Sequence, residues 1–167
     1  MRVLGMDVRL WIGPSRDDGQ GMLLLYWHGV GGLADEATAM LGSNLQRILD
    51  AGGMVASFSE TLGTGTDSAL GTWYEDDFAV ADAIIACAIE QHGIDPRRIH
   101  VAGCGLGAFQ AGAMLYARSS YLASGVLVQG GVMAVRELET ADHVPALITS
   151  YDTDDGPISF VPSARRP

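Results

Sequence analysis

Short apolar runs alternate with stretches of helical periodicity along this chain, and that alternation predicts a mostly parallel sheet covered by helices on both faces. Met22-Leu23-Leu24-Leu25-Tyr26-Trp27 is apolar throughout, as a strand buried on both faces requires. Residues 7–12 alternate like an edge strand and pass through Gly13-Pro14 and a turn-rich stretch at 17–21. A helical pattern over 34–51 is stopped by Gly52-Gly53, and a strand over 54–58 follows. Residues 60–72 are a Gly-, Thr- and Ser-rich loop. The next helix, 75–91, spaces Phe78, Ala81, Ile85 and Ala88 on one face and carries acids in its first turn. After a strand near residue 100 comes a helix over 106–118 so apolar and small-sided that it must be mostly buried. Two further strands are expected at 124–129 and 146–151. No repeat, linker or low-complexity tract interrupts the pattern, so residues 1–167 read as one domain.

Composition narrows the function classes. Of 167 residues, 48% are hydrophobic and 18% charged, which suits a folded domain. The net charge of −10, with few and scattered cations, argues against nucleic acid. Asp7 interrupts the N-terminus before any apolar run long enough for a signal peptide, and no stretch has the length of a membrane helix. A soluble cytoplasmic protein is therefore the default expectation, and a secreted one if the sequence is part of a longer chain. Cys87 and Cys104 form neither a disulfide framework nor a metal spacing and read as reduced, small buried hydrophobes. Neither a metal nor a cofactor is called for.

The chemistry concentrates at Arg98-Ile99-His100-Val101-Ala102-Gly103-Cys104-Gly105-Leu106-Gly107-Ala108, a strand running into a glycine-rich corner and then a helix. This is the layout of a nucleophile elbow, G-x-S-x-G, with glycines at Gly103 and Gly107 where strand and helix must approach closely. The central serine is replaced by Gly105, which adopts the strained backbone with ease but carries no atom that can attack.

Two further motifs precede the corner in order. His28-Gly29-Val30-Gly31-Gly32 follows the first buried strand, and Trp73-Tyr74-Glu75-Asp76-Asp77-Phe78 is followed by Ile94-Asp95-Pro96-Arg97-Arg98-Ile99. Together the three resemble the α/β-hydrolase superfamily, and within it esterases of the polyhydroxybutyrate-depolymerase and feruloyl-esterase type, over nearly the whole chain from Leu23 to Tyr151. The resemblance implies an α/β-hydrolase fold, shortened at its C-terminal end, acting on carboxylic esters. It implies an oxyanion hole from the segment His28, Gly29, Val30 and Gly31 with Gly32, together with Leu106, the residue after the nucleophile position. Within it, the His28 imidazole reads as structural, Asp76 and Asp77 as helix-start carboxylates, and Trp73 as a packing residue.

The same resemblance places the triad acid at Asp152, Asp154 or Asp155, although three acids in a turn equally describe a solvated loop. The family's catalytic histidine would come last, yet none follows His143. Cys104 as an alternative nucleophile would need glycines two residues either side, where Ala102 and Leu106 stand. Three readings stay open: a catalytically impaired esterase-lineage domain, a non-catalytic protein binding a small ester or carboxylate in the vestigial pocket, or an active hydrolase using Cys104 or a water over Gly105. The shortened sheet also predicts an open edge, which leaves either a less stable monomer or a homodimer formed through that edge.

Overall fold

A computed structural model describes residues 1–15, 18–133 and 137–150. Seven strands form one sheet: β1 (Arg2–Val3), β2 (Met6–Ile12), β3 (Gly21–Trp27), β4 (Met54–Phe58), β5 (Ile94–Cys104), β6 (Leu122–Val128) and β7 (Ala146–Thr149). Their spatial order is β1-β2-β4-β3-β5-β6-β7. From β4 through β7 all neighbours are parallel, while β2 runs antiparallel to β4. Parallel neighbours need a long return path, and helices over 36–50, 78–92 and 106–117 carry the chain from β3 to β4, from β4 to β5 and from β5 to β6.

Four helices supply the cover: α1 (Glu36–Leu41), α2 (Ser43–Asp50), α3 (Phe78–His92) and α4 (Leu106–Ala117). Alternate residues of β3 sort the two faces. Leu23, Leu25 and Trp27 join the large core beneath α3 and α4, whereas Leu24 and Tyr26 join a smaller cluster with Ala37, Leu41, Leu45 and Ile48 of α1 and α2. At the carboxyl end of the sheet the large core closes with aromatics. Trp27 stacks on Phe58 with centroids 3.7 Å apart, and Trp73 meets it edge-on at 5.0 Å.

Several elements differ from the sequence expectation. The helix expected over 34–51 is two helices, because Gly42 adopts φ 53° and ψ −129°, a backbone state that cannot continue a helix. The apolar periodicity runs through the break and hides it. Residues 75–77 form a 3₁₀ turn before α3 begins at Phe78, and Gly93 ends α3 in the left-handed conformation that favours glycine. Strand β2 is not outermost, since Leu4 and Gly5, both at positive φ, turn the chain so that β1 pairs with it. At the other side β7 is the edge, and no strand pairs with its outer side among the described residues. Leu147 there is 60% exposed and stands in register with Val126, itself 37% exposed.

Candidate functional site

The site grows from close approach at the end of β5. Gly105 stands between β5 and α4 at φ 55° and ψ −121°, a reversal that glycine makes at no steric cost. Its N–H donates to the Val128 carbonyl at 2.9 Å, and its own carbonyl accepts from Ala108 N–H at 3.0 Å. A Cβ on Gly103 would stand 2.8 Å from Ala108 N, and one on Gly107 would overlap the backbone oxygens of Trp27 and His28. These two glycines let α4 lie against the strand ends. Gly105 is different: a Cβ there meets nothing nearer than Gly29 Cα at 3.8 Å. The space is limited by backbone torsion alone.

The loop after β3 borders that space. Gly32 N–H bonds Gly29 O at 3.0 Å, which folds residues 29–32 into a turn with Gly31 at φ 69°. Gly29 N–H does not face the elbow space unclaimed, because it donates to Glu36 Oε1 at 3.1 Å. Tyr26 Oη donates to the same oxygen at 2.8 Å, and burial together with Glu36 raises the phenol pKa above its ordinary range. Among the described residues nothing accepts from the amides of Val30, Gly31 or Leu106. Val30 is 72% exposed, whereas the Leu106 side chain is buried under the first turn of α4.

His28 is fixed in place. Its Nδ1 lies 2.8 Å from Gly29 O and its Nε2 3.1 Å from Ser59 O, so both ring nitrogens are turned to carbonyls. Its ring packs edge-on against Trp73 at 4.9 Å, and Trp73 Nε1 donates to His28 O at 3.1 Å. Trp73 is fully buried and holds the loop from beneath.

Cys104 points to the α1 side of the sheet, packing with Leu24, Tyr26 and Ala102. Burial and the nearby Glu36 carboxylate push its thiol pKa up, the reverse of what a nucleophilic cysteine needs. Both cysteines are free thiols and half-buried, less enclosed than the sequence suggests. Asp152, Asp154 and Asp155 lie outside the described residues.

The remaining histidines sit away from the elbow. His100 Nδ1 pairs with Ser124 Oγ at 2.8 Å across β5 and β6, and burial lowers its pKa. It precedes Gly105 by five residues, roughly 16 Å along a strand at ~3.3 Å per residue. His92 closes α3 at the opposite end of β5, and His143 lies in the segment leading into the start of β7.

The loop over 60–74, unremarkable in composition, is tightly wired. Asp77 is fully buried and accepts from Thr61 Oγ1 at 2.7 Å, Leu62 N–H at 2.7 Å and Tyr74 N–H at 2.9 Å. Burial raises its pKa, and those three donors pull it back. Gln110, buried in α4, accepts from Ser68 Oγ and donates to Tyr74 O at 2.9 Å. Sequence reasoning places Asp77 at a helix start, but its clamp on the loop depends on residues 15 and 16 positions away. Glu36 and Gln110 carry no local signal at all. Asp77→Ala strands two backbone amides and a hydroxyl, so it is expected to cost about 2–4 kcal/mol in urea unfolding. A loss below about 1 kcal/mol would mean the clamp is dispensable.

A parallel sheet in this order, with a glycine-lined elbow at the carboxyl end of β5 facing the loop after β3, is the α/β-hydrolase fold. Solved esterases share it. The chain is similar to a thermostable esterase at TM-score 0.71 and 17% identity, over 96% of this chain and 46% of that one. It is similar to the Bacillus cereus carboxylesterase at TM-score 0.66 and 19% identity, over 96% of this chain and 76% of that one. An acetyl xylan esterase from Aspergillus awamori matches at TM-score 0.58 and 14% identity, over 76% and 47%. The chain thus spans less than half the length of the thermostable esterase. No family model matches the sequence, and no curated protein does. Among the described residues no helix is long and apolar enough to cross a membrane, and no group of metal-ligating side chains assembles.

Proposed function

We propose that this chain is an esterase-lineage α/β-hydrolase domain, of the polyhydroxybutyrate-depolymerase type, that does not cleave esters at its elbow. The observation that carries the reading is Gly105 itself: elbow torsions, elbow neighbours, and no side chain. Acyl transfer through this fold needs an oxygen nucleophile and a base that takes its proton. Gly105 supplies no oxygen, and His28, His92, His100 and His143 are bonded or placed elsewhere. An oxyanion hole and binding alone leave about 10³–10⁴-fold acceleration over water in serine proteases, far below a working esterase.

A second reading is favoured by the amides of Val30, Gly31 and Leu106. With the serine side chain gone, the space over Gly105 holds a small ester or carboxyl compound by its oxygen, without turnover. The reading in which Cys104 attacks is opposed by its position on the far side of the strand and by its raised pKa.

Short-chain p-nitrophenyl ester hydrolysis tests the proposal. Purified protein is expected to run near background, with Cys104→Ala indistinguishable from it. Robust turnover abolished by Cys104→Ala would place the nucleophile at the thiol and sink the reading.

A further inference from the structure

We propose that Glu36 sets the charge of the ligand at the elbow, admitting uncharged carbonyl compounds such as esters and amides and turning away carboxylates. The inference rests on the reading of the elbow as a ligand pocket and narrows its substrate class.

The Glu36 carboxylate lies directly behind the loop that borders Gly105. Its Oε1 takes Gly29 N–H and Tyr26 Oη, and its Oε2 lies 3.9 Å from the position a Cβ on Gly29 would occupy. On the other side, Gly29 Cα is 3.8 Å from the corresponding position on Gly105. Gly29 thus neighbours both the carboxylate and the Gly105 position, with the Cys104 carbonyl oxygen 3.2 Å from its own Cβ position. Glu36 also acts on the neighbouring Cys104, whose pKa rises partly through its charge.

Among the described residues no arginine pairs with it. The sequence has no lysine. Arg2, Arg9, Arg47, Arg97, Arg98 and Arg118 bond Gly5 O, Asp35, Asn44, Asp95, Gln20 O and Asp82 respectively. The start of α4 contributes a partial positive charge of roughly half a unit, against a full negative charge on Glu36. The free amides still donate to a neutral carbonyl oxygen, because that bond needs no net charge on the ligand. A carboxylate gains the same bonds and meets the repulsion as well.

Glu36→Gln separates charge from scaffolding. Its side-chain oxygen keeps both acceptor contacts while the charge disappears. The measurement is an NMR titration of the full chain with butyrate and with its neutral counterpart butyramide, read at the Val30, Gly31 and Leu106 amides. Glu36→Gln is expected to tighten butyrate roughly fivefold and leave butyramide unchanged. Equal changes for both probes, or none for either, would overturn the charge role while leaving the pocket intact. Shifts with neither probe in either protein would overturn the pocket reading and this inference with it.

A second readout serves if the variant's loop loosens. Tyr26 and Glu36 are the titratable groups facing Cys104, so removing the Glu36 charge should speed iodoacetamide modification of Cys104 at fixed pH, followed by peptide mass. Tyr26→Phe keeps the charge and loses the other hydrogen bond to the same oxygen. Acceleration with Glu36→Gln alone supports the charge role, and equal acceleration with both variants refutes it.

Discussion

Gly107→Ala is expected to lower the stability of the fold sharply. The added methyl overlaps the carbonyl oxygens of Trp27 and His28, and backbone atoms cannot swing aside as a flexible side chain would. Relief requires α4 to lift from the strand ends. That motion would open the packing of Trp27 against Phe58 and Trp73, which lies directly below. Overpacking usually costs about 1–3 kcal/mol, and a backbone clash at a fully buried crossing belongs at or beyond the top of that range. Against a typical total of about 5–15 kcal/mol, a loss of about 3–5 kcal/mol lowers Tm by about 10 °C or more. Thermal unfolding followed by circular dichroism measures it. A melting point within 2 °C or so of the parent would show that the helix does not depend on this approach.

Gly105→Ser is expected to fold and to remain almost inactive. The hydroxyl has room, since only Gly29 Cα lies within 4 Å of the new Cβ. Its cost is torsional: a non-glycine residue at φ 55° carries about 1–3 kcal/mol of strain. The restored oxygen would lack its base, and a positioned base is worth about 10²–10⁴-fold. Grafting a C-terminal segment from a relative, with a strand, a helix and the histidine, should be required before p-nitrophenyl ester rates rise substantially. Ordinary esterase rates from the point variant alone would mean that a histidine already reaches the elbow.

The elbow and the loop after β3 were legible because glycines at fixed offsets are forced by backbone approach, and that constraint is written locally. Gly103, Gly107 and the His28-Gly29 turn stand where the pattern places them. The α4 helix was legible for the same reason, since only small residues fit so close to a sheet. What escaped was interaction between distant positions. Glu36 reads as an ordinary surface acid until Tyr26 and Gly29 are folded beneath it. Gln110 reads as a polar interruption in an apolar helix until Ser68 and Tyr74 meet it. Gly42 breaks a helix without disturbing its apolar period, and the pattern alone carries straight across it. The expected acids Asp152 and Asp154 lie outside the described residues, so the candidate site consists of the elbow, the loop after β3 and the residues beneath them.

The central claim is that the elbow of this chain holds no nucleophile. Its most direct measurement is treatment of the native protein with a fluorophosphonate reporter, read by intact mass and peptide mapping, with Gly105→Ser alongside. The account predicts no adduct on the native chain and, at most, slow modification of Ser at position 105 in the variant. A stoichiometric adduct on the native chain, at Cys104 or at any serine bordering the loop after β3, would contradict it.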